Sequence, residues 1–470
     1  MKNYEIYCGG KFVTSNQKLE TKNPFCNEVF ATTYLASTEQ LNNAIEAATS
    51  VQKQLAQLSS YERADILMQI ANDLFLQRDY FASILSQESA KPIKYALAEI
   101  DRSIQTFKIA AEECKRLPKE YISLDWTSAG KNKEGLIKYF PIGIVAGIAP
   151  FNFPLNLAVH KIAPAIASGC PIILKPSSAT TLSCLELAKI IDKTNLPKGA
   201  VSILPMNRET GNNLVTDERI KLLSFTGSPD VGWKMKANAG KKKVVLELGG
   251  NAGAIVSSSA DLKLAISKCV YGAFVYSGQV CIHTQRIYVN KSKFDDFVAG
   301  FVVETKKLKF GNPDDVSTDV SNMIDMENAV RVEQWINEAI QAGAKLLSGG
   351  KRNDNYIEPT VLTNTSTTMK VNCEEVFGPV VVIESYTDFE KVIEEINNTT
   401  FGLQAGIFTD SQSEINYAFN NLEVGGVIVN DVPTFRVDHM PYGGIKDSGL
   451  GREGVRYAIQ DMMEAKILVQ

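Results

Sequence analysis

Apolar residues recur at i, i+3 and i+4 through 38–58, 60–88 and 96–117, so the first 120 residues read mostly as helix, with Ser60-x-x-Arg63 opening the second run. From Gly143 the pattern changes. Short apolar runs rich in β-branched residues (144–148, 172–175, 201–204, 222–225 and 244–248) alternate with amphipathic stretches such as 183–193 and 231–239. That rhythm predicts a parallel α/β sheet. A second alternation begins after Gly249-Gly250, with strand-like runs at 254–256, 286–289, 380–383, 406–408 and 427–429 between helices at 260–276, 293–306, 326–342, 389–397 and 411–421. The pattern therefore predicts two α/β domains meeting near 247–251, a hinge and a usual place for a ligand cleft. No internal repeat or low-complexity linker interrupts them, and 127–133 reads as an exposed turn between two extended segments.

The apolar stretch 140–159 is long enough to imitate a membrane span, but Pro141, Pro150, Asn152, Pro154 and Asn156 break it. It reads as a buried strand, a turn and a helix beginning near Leu155. A 44% hydrophobic, 22% charged composition is that of an ordinary globular chain, and 470 residues suffice for two or three domains. The net charge of −4 gives no reason to expect a nucleic-acid or membrane surface. Eight cysteines without a CxxC pair, and only three histidines, argue against a structural metal site. Reduced thiols and no visible export signal lead us to expect a cytoplasmic protein.

Against this background two polar residues stand out. Glu247 interrupts the apolar run 244–248 just before the glycine pair, and Cys281 follows Gly278-Gln279-Val280 at the end of an apolar helical stretch. A thiolate is a good nucleophile, and a carboxylate in apolar surroundings has a raised pKa suited to general-base work. The alternatives are a buried salt bridge for Glu247 and a small packing residue for Cys281. Asn152, pinned between Pro150 and Pro154 after a strand, either donates to a developing oxyanion or closes its own turn. Lys175 ends a strand with Pro176-Ser177-Ser178, where it either meets ribose and phosphate or sits in solvent. Gly227-Ser228-Pro229-Asp230-Val231-Gly232 opens a helix. It lacks the Lys-Ser/Thr of a P-loop and lacks GxGxxG, so it is either a cofactor turn or a plain capped helix. Glu375, before the strand at 380, either bonds ribose hydroxyls or caps, and the glycine-rich run 443–453 lines a mouth or crosses the surface.

Taken together and in this order, these motifs resemble the aldehyde dehydrogenase superfamily over essentially the whole chain. The resemblance implies a Rossmann-like dinucleotide-binding domain (1–120 and 141–246), a second α/β catalytic domain (247–430), a substrate-side loop (431–454) and a small β oligomerisation extension (121–140 and 455–470). It implies Cys281 as nucleophile, Glu247 as base for the deacylating water and Asn152 as oxyanion donor. Lys175, Ser177, Ser178, Gly227, Ser228, Gly232, Glu375 and Phe377 would hold NAD or NADP. A homodimer or homotetramer and a small aldehyde substrate follow from the same resemblance, with no metal.

Two departures carry information. Members that prefer NAD usually place Glu where Ser178 stands, so this chain is expected to accept NADP as well. His160 stands where many members carry a large aromatic, and with Arg102, Arg286 and Arg436 it forms a candidate cationic cluster for a small anionic or hydroxylated aldehyde, such as glyceraldehyde 3-phosphate, phosphonoacetaldehyde or lactaldehyde. The competing readings are a succinate-semialdehyde-type dehydrogenase, a CoA-acylating enzyme, against which Glu247 argues, and a catalytically silent nucleotide-binding protein.

Overall fold

In the computed structural model, which describes residues 2–470, the chain forms two large sheets and smaller satellite sheets. The first large sheet has eight strands, in the order Gly449–Leu450, Lys243–Glu247, Ile220–Thr226, Ile144–Ile148, Ile172–Lys175, Val201–Ile203, Ile6–Cys8 and Lys11–Val13. The five strands between 144 and 247 are parallel and lie in the doubly wound order, third, second, first, fourth, fifth. They read as nearly continuous Val, Ile and Leu because helices cover both faces.

The second sheet has seven strands, and its centre runs Thr360–Thr363, Val380–Tyr386, Arg286–Asn290, Gly253–Val256, Gln404–Phe408, all parallel. Five of the seven are the runs expected from the sequence; the other two, Lys345–Ser348 and Thr360–Thr363, were not. The apolar stretch at 140 resolves into the strand Glu134–Pro141, the strand Ile144–Ile148 and the helix Pro154–Ser168, whose first residue is the proline suited to that position. No helix among the described residues is long and apolar enough to cross a membrane.

Several expectations need correction. The first 34 residues are not helical: they hold five short strands, two of which extend the first sheet antiparallel and three of which form a separate sheet. These strands are two to six residues long, too short for periodicity to reveal. The run 60–88 is two helices, Ser60–Leu76 and Arg78–Ser89, parted at Gln77. The supposed loop 431–454 contains the strand Gly449–Leu450, which pairs with Leu246 and Glu247 and so ties that segment to the first sheet. In the 455–470 segment the first half is the helix Val455–Asp461, packed into the first core through Val455 and Ile459; only Met463–Val469 joins Glu134–Pro141 and Lys119–Ser123 in a three-stranded antiparallel sheet. The turn between those last two strands is a short 3-10 segment, Ser128–Gly130, as the polar run there suggests.

Candidate active site

The parallel strands of the first sheet end on one side, and beyond those ends lie Asn152, Lys175, Gly227 with Ser228, and Glu247. Carboxyl ends at a strand-order switch are where doubly wound sheets bind ligands. The second α/β unit brings Cys281 to the same place. The Asn152 Nδ2 donates to the Gln279 carbonyl at 3.0 Å, so the amide stands beside the loop that carries the thiol. Its own carbonyl accepts from Lys91 Nζ at 2.6 Å, and Lys91 is ion-paired to Glu99 in full burial. Glu99 in turn accepts from the N–H groups of Leu155 and Asn156, which caps the helix following Asn152.

The Cys281 loop is strained. Tyr276 and Ser277 both have left-handed φ values of 49° and 54°, and Gly278 follows at 68°. For an aromatic residue that conformation is costly, and it persists because neighbours determine it. The Tyr276 hydroxyl donates to the Ser89 carbonyl, Ser277 donates to Ser321 at 2.7 Å, and a side chain at 278 would overlap the Gly378 backbone. Burial pushes the Cys281 thiol up to about 11, against a hydrogen bond to Tyr442 and the Arg436 charge, while Glu375 and Glu247 add to the rise.

Glu247 is 3% exposed; its Oε1 accepts from the Glu453 N–H at 3.2 Å, and its Oε2 has no partner among the described residues. Burial pushes this carboxyl well above its ordinary value, the Glu453 charge adds to that, and Arg436 and Lys161 pull against it. A Cβ at Gly443 would come within 2.8 Å of Glu247 Oε1, so a glycine there keeps room at the base. Glu453 itself resists the burial that would neutralise it. His160, Arg436 and Lys161 hold it at about 2, Arg436 through a 2.6 Å ion pair.

The residues expected to hold the cofactor have the features a dinucleotide needs. Ser228 is the N-cap of helix Pro229–Asn238 and makes no capping bond, which leaves the first-turn N–H groups without a side-chain partner, the arrangement that takes phosphate. A Cβ at Gly232 would stand 2.5 Å from Leu248, so the glycine permits close helix–strand packing, and Gly227 N–H donates to the Glu247 carbonyl. Lys175 lies against Gly211, its pKa lowered by burial; Ser177 accepts from the Ala179 N–H and Ser178 is exposed. Glu375 accepts from Gly250 N–H at 3.0 Å, and a side chain at Gly249 would overlap its carboxylate. Phe377, at φ 47°, meets Phe151 edge-on.

Of the four proposed substrate residues, three come together. His160 Nε2 lies 2.8 Å from Asp438 Oδ1, Arg102 forks onto both Asp438 oxygens at 2.7 and 3.3 Å, and Arg436 Nη2 is 3.5 Å from His160 Nε2. Burial alone would raise the Asp438 pKa, but His160 and Arg102 hold it well below the carboxylate range. Arg286 is not in this group. Its guanidinium donates to the carbonyls of Asn251, Glu395 and Ile396, the last two at the end of helix Phe389–Asn397, which is a structural post.

Sequence reading missed Asp438, Glu453, Lys161 and Tyr442. Each lies in or beside a stretch already singled out, but their partners are far away in the chain: Asp438 is 278 residues from His160 and 336 from Arg102. Pairing at that range has no periodic signature.

A model of the aldehyde dehydrogenase family matches residues 12–468. The 3-sulfolactaldehyde dehydrogenase of Priestia aryabhattai is 40% identical over 470 residues, covering 100% of this chain and 98% of that protein. The crystal structure of aldehyde dehydrogenase 21 from Physcomitrella patens, in complex with the reaction product succinate, superposes with a TM-score of 0.98 at 47% identity, over 100% of this chain and 98% of that one. The glyceraldehyde-3-phosphate dehydrogenase of Methanocaldococcus jannaschii, complexed with NADP, gives a TM-score of 0.93 at 40% identity, over 97% and 100%. The shared fold and the match along nearly the whole length place the chain in the aldehyde dehydrogenase family.

Proposed function

We propose that this chain oxidises a small anionic or hydroxylated aldehyde to its acid with NAD or NADP, through a thioester on Cys281 that water hydrolyses with Glu247 as base. The observation that carries it is the convergence of Cys281, Asn152 and Glu247 from two different α/β units, with Asn152 bonded to the Cys281 loop and Glu247 close enough for its charge to act on the thiol. The Cys281 thiolate attacks the aldehyde carbon, and the Asn152 amide, turning from the Gln279 carbonyl it now meets, donates to the oxyanion; such a donor contributes about 3 kcal/mol. The nicotinamide, when bound, supplies the hydride acceptor. Glu247, its pKa raised by burial, takes a proton from water once ionised, and the hydroxide releases the acid.

The substrate class follows from charge. Arg102, Arg436 and Lys161 face Asp438 and Glu453, three cations against two carboxylates, while Glu247 is pushed toward its neutral form. Burial lowers the Lys161 pKa as it raises that of Glu247, and the two guanidiniums, which stay charged, suit a substrate with a negative group. The Priestia and Methanocaldococcus relatives act on small hydroxyaldehydes bearing a sulfonate or phosphate, which supports this reading. A succinate-semialdehyde activity is the second reading, favoured by the succinate bound to the Physcomitrella relative. Following NAD(P)H absorbance over a panel of sulfolactaldehyde, glyceraldehyde 3-phosphate, phosphonoacetaldehyde, lactaldehyde, succinate semialdehyde and propanal separates them. A highest kcat/KM for propanal would refute both.

Arg102→Ala and Arg436→Ala should each lower kcat/KM for glyceraldehyde 3-phosphate about tenfold or more relative to propanal, the loss of one charge-assisted contact. An unchanged ratio would remove these residues from substrate recognition. At the cofactor, Ser178→Glu should lower kcat/KM for NADP about tenfold or more and leave that for NAD nearly unchanged, because a carboxylate would face the 2′-phosphate. Equal use of NADP by this variant would place the 2′-phosphate elsewhere.

The three-stranded sheet supports assembly as a homodimer or homotetramer. Tyr121, Phe140, Ile467, Leu468 and Val469 are all exposed on its strands, and such a patch usually marks an interface.

A further inference from the structure

We propose that the Tyr442 hydroxyl is the hydrogen-bond donor that holds and activates the Cys281 thiolate, which makes Tyr442 a catalytic residue. The Tyr442 Oη lies 3.0 Å from Cys281 Sγ, and this is the one hydrogen bond either side chain makes among the described residues. Around it are Val275, Tyr276, Val280, Ile282 and Leu403, so a phenylalanine would pack as well and the hydroxyl has no other polar duty there. The ring is held firmly. The Arg436 guanidinium sits 3.8 Å from its centroid, and the Tyr442 backbone pairs with Glu453 in both directions, at 2.9 and 2.5 Å. The Glu453 N–H also reaches Glu247, so one peptide registers the base and the tyrosine together.

The direction of donation follows from charge. A thiolate has no proton to give, and burial pushes the phenol well above its ordinary value, so the proton stays on oxygen throughout. The other charges around the sulfur divide: Arg436 favours the thiolate, and Glu247 and Glu375 oppose it. Donation from Tyr442 acts with Arg436 and offsets part of the burial that favours the thiol. When sulfur bonds to the aldehyde carbon the negative charge moves to the carbonyl oxygen beside Asn152, and the phenol contact weakens without losing its proton.

The consequence is a crossing of rates. Without the hydroxyl the thiol should need a pH about one unit higher to ionise, giving about tenfold less thiolate at neutral pH. The thiolate that does form is more nucleophilic by about threefold, because nucleophilicity rises with roughly half the pKa change. Tyr442→Phe should therefore react with iodoacetamide about threefold more slowly at neutral pH and, in brief jumps to a pH above both midpoints, the wild-type one near 11 and the other about a unit higher, about threefold faster. Alkylation at Cys281 is read by peptide mass, with no aldehyde present. Replacing Tyr442 by 3-fluorotyrosine keeps the shape and strengthens the donor, and should move the midpoint to lower pH. An unmoved midpoint in both proteins, or a deficit equal at every pH, would assign Tyr442 to packing and overturn the proposal. The inference rests on Cys281 being the nucleophile. Retained turnover in Cys281→Ala would sink that reading, whereas an unmoved midpoint beside an inactive Cys281→Ala sinks only the role of Tyr442.

Discussion

Cys281→Ala is expected to lower aldehyde-dependent NAD(P)H formation about 10⁴-fold or more while dinucleotide binding survives. No other group can replace the sulfur. Cys170, Cys184 and Cys269 are buried within apolar cores with thiols raised by burial, and burial likewise raises the Cys373 thiol. The side chain being removed is small and its hydrogen bond goes to one hydroxyl, so the thermal midpoint should change little. Fluorescence titration with NADP measures binding, and a stopped-flow trace at 340 nm measures the reaction. Turnover within tenfold of the wild type would exclude the thioester route.

Glu247→Gln should separate the two halves of the reaction. The amide oxygen can still accept from the Glu453 N–H, so the loop geometry is preserved, but no base remains. Thioester formation should then give one NAD(P)H per active site in a burst, followed by a steady state about 10²- to 10⁴-fold slower. The wild-type pH dependence has a defined sign. Burial raises the Glu247 pKa well above its ordinary value, so the base is protonated at low pH and ionises only as pH climbs. Deacylation should accelerate as pH rises above the ordinary carboxylate range, and that slope should vanish in the Gln variant. Loss of the burst itself would mean that Glu247 serves the attack by Cys281 and not the hydrolysis. An acylated Cys281, 

trapped by acid quench and weighed by mass spectrometry, checks the same point.

The two-sheet architecture was legible because the central parallel strands are buried on both faces and read as mostly apolar runs between amphipathic helices. For the same reason Glu247 was conspicuous, as a polar side chain where the neighbours are Val and Leu, whereas Asn152 stood out because prolines flank it. The short strands before residue 35 were not legible, since runs of two to six residues carry too few alternations to distinguish from loop. Arg286 shows the opposite failure. It adjoins a catalytic-looking stretch in sequence, yet a guanidinium has the reach to leave it, and here it caps the carbonyl end of a neighbouring helix.

Residue types and local patterning were enough for the family, and they singled out Cys281, Glu247 and the turn at 227–232 as candidates. Folding alone settled which charges answer one another. Asp438 meets Arg102 and His160, Glu453 meets Arg436 and Lys161, and Tyr442 meets the sulfur across 161 residues. Buried charges must find partners because desolvation is costly, but that demand names no partner. Only the packing of helix Pro154–Ser168 against the segment around 436–453 does so.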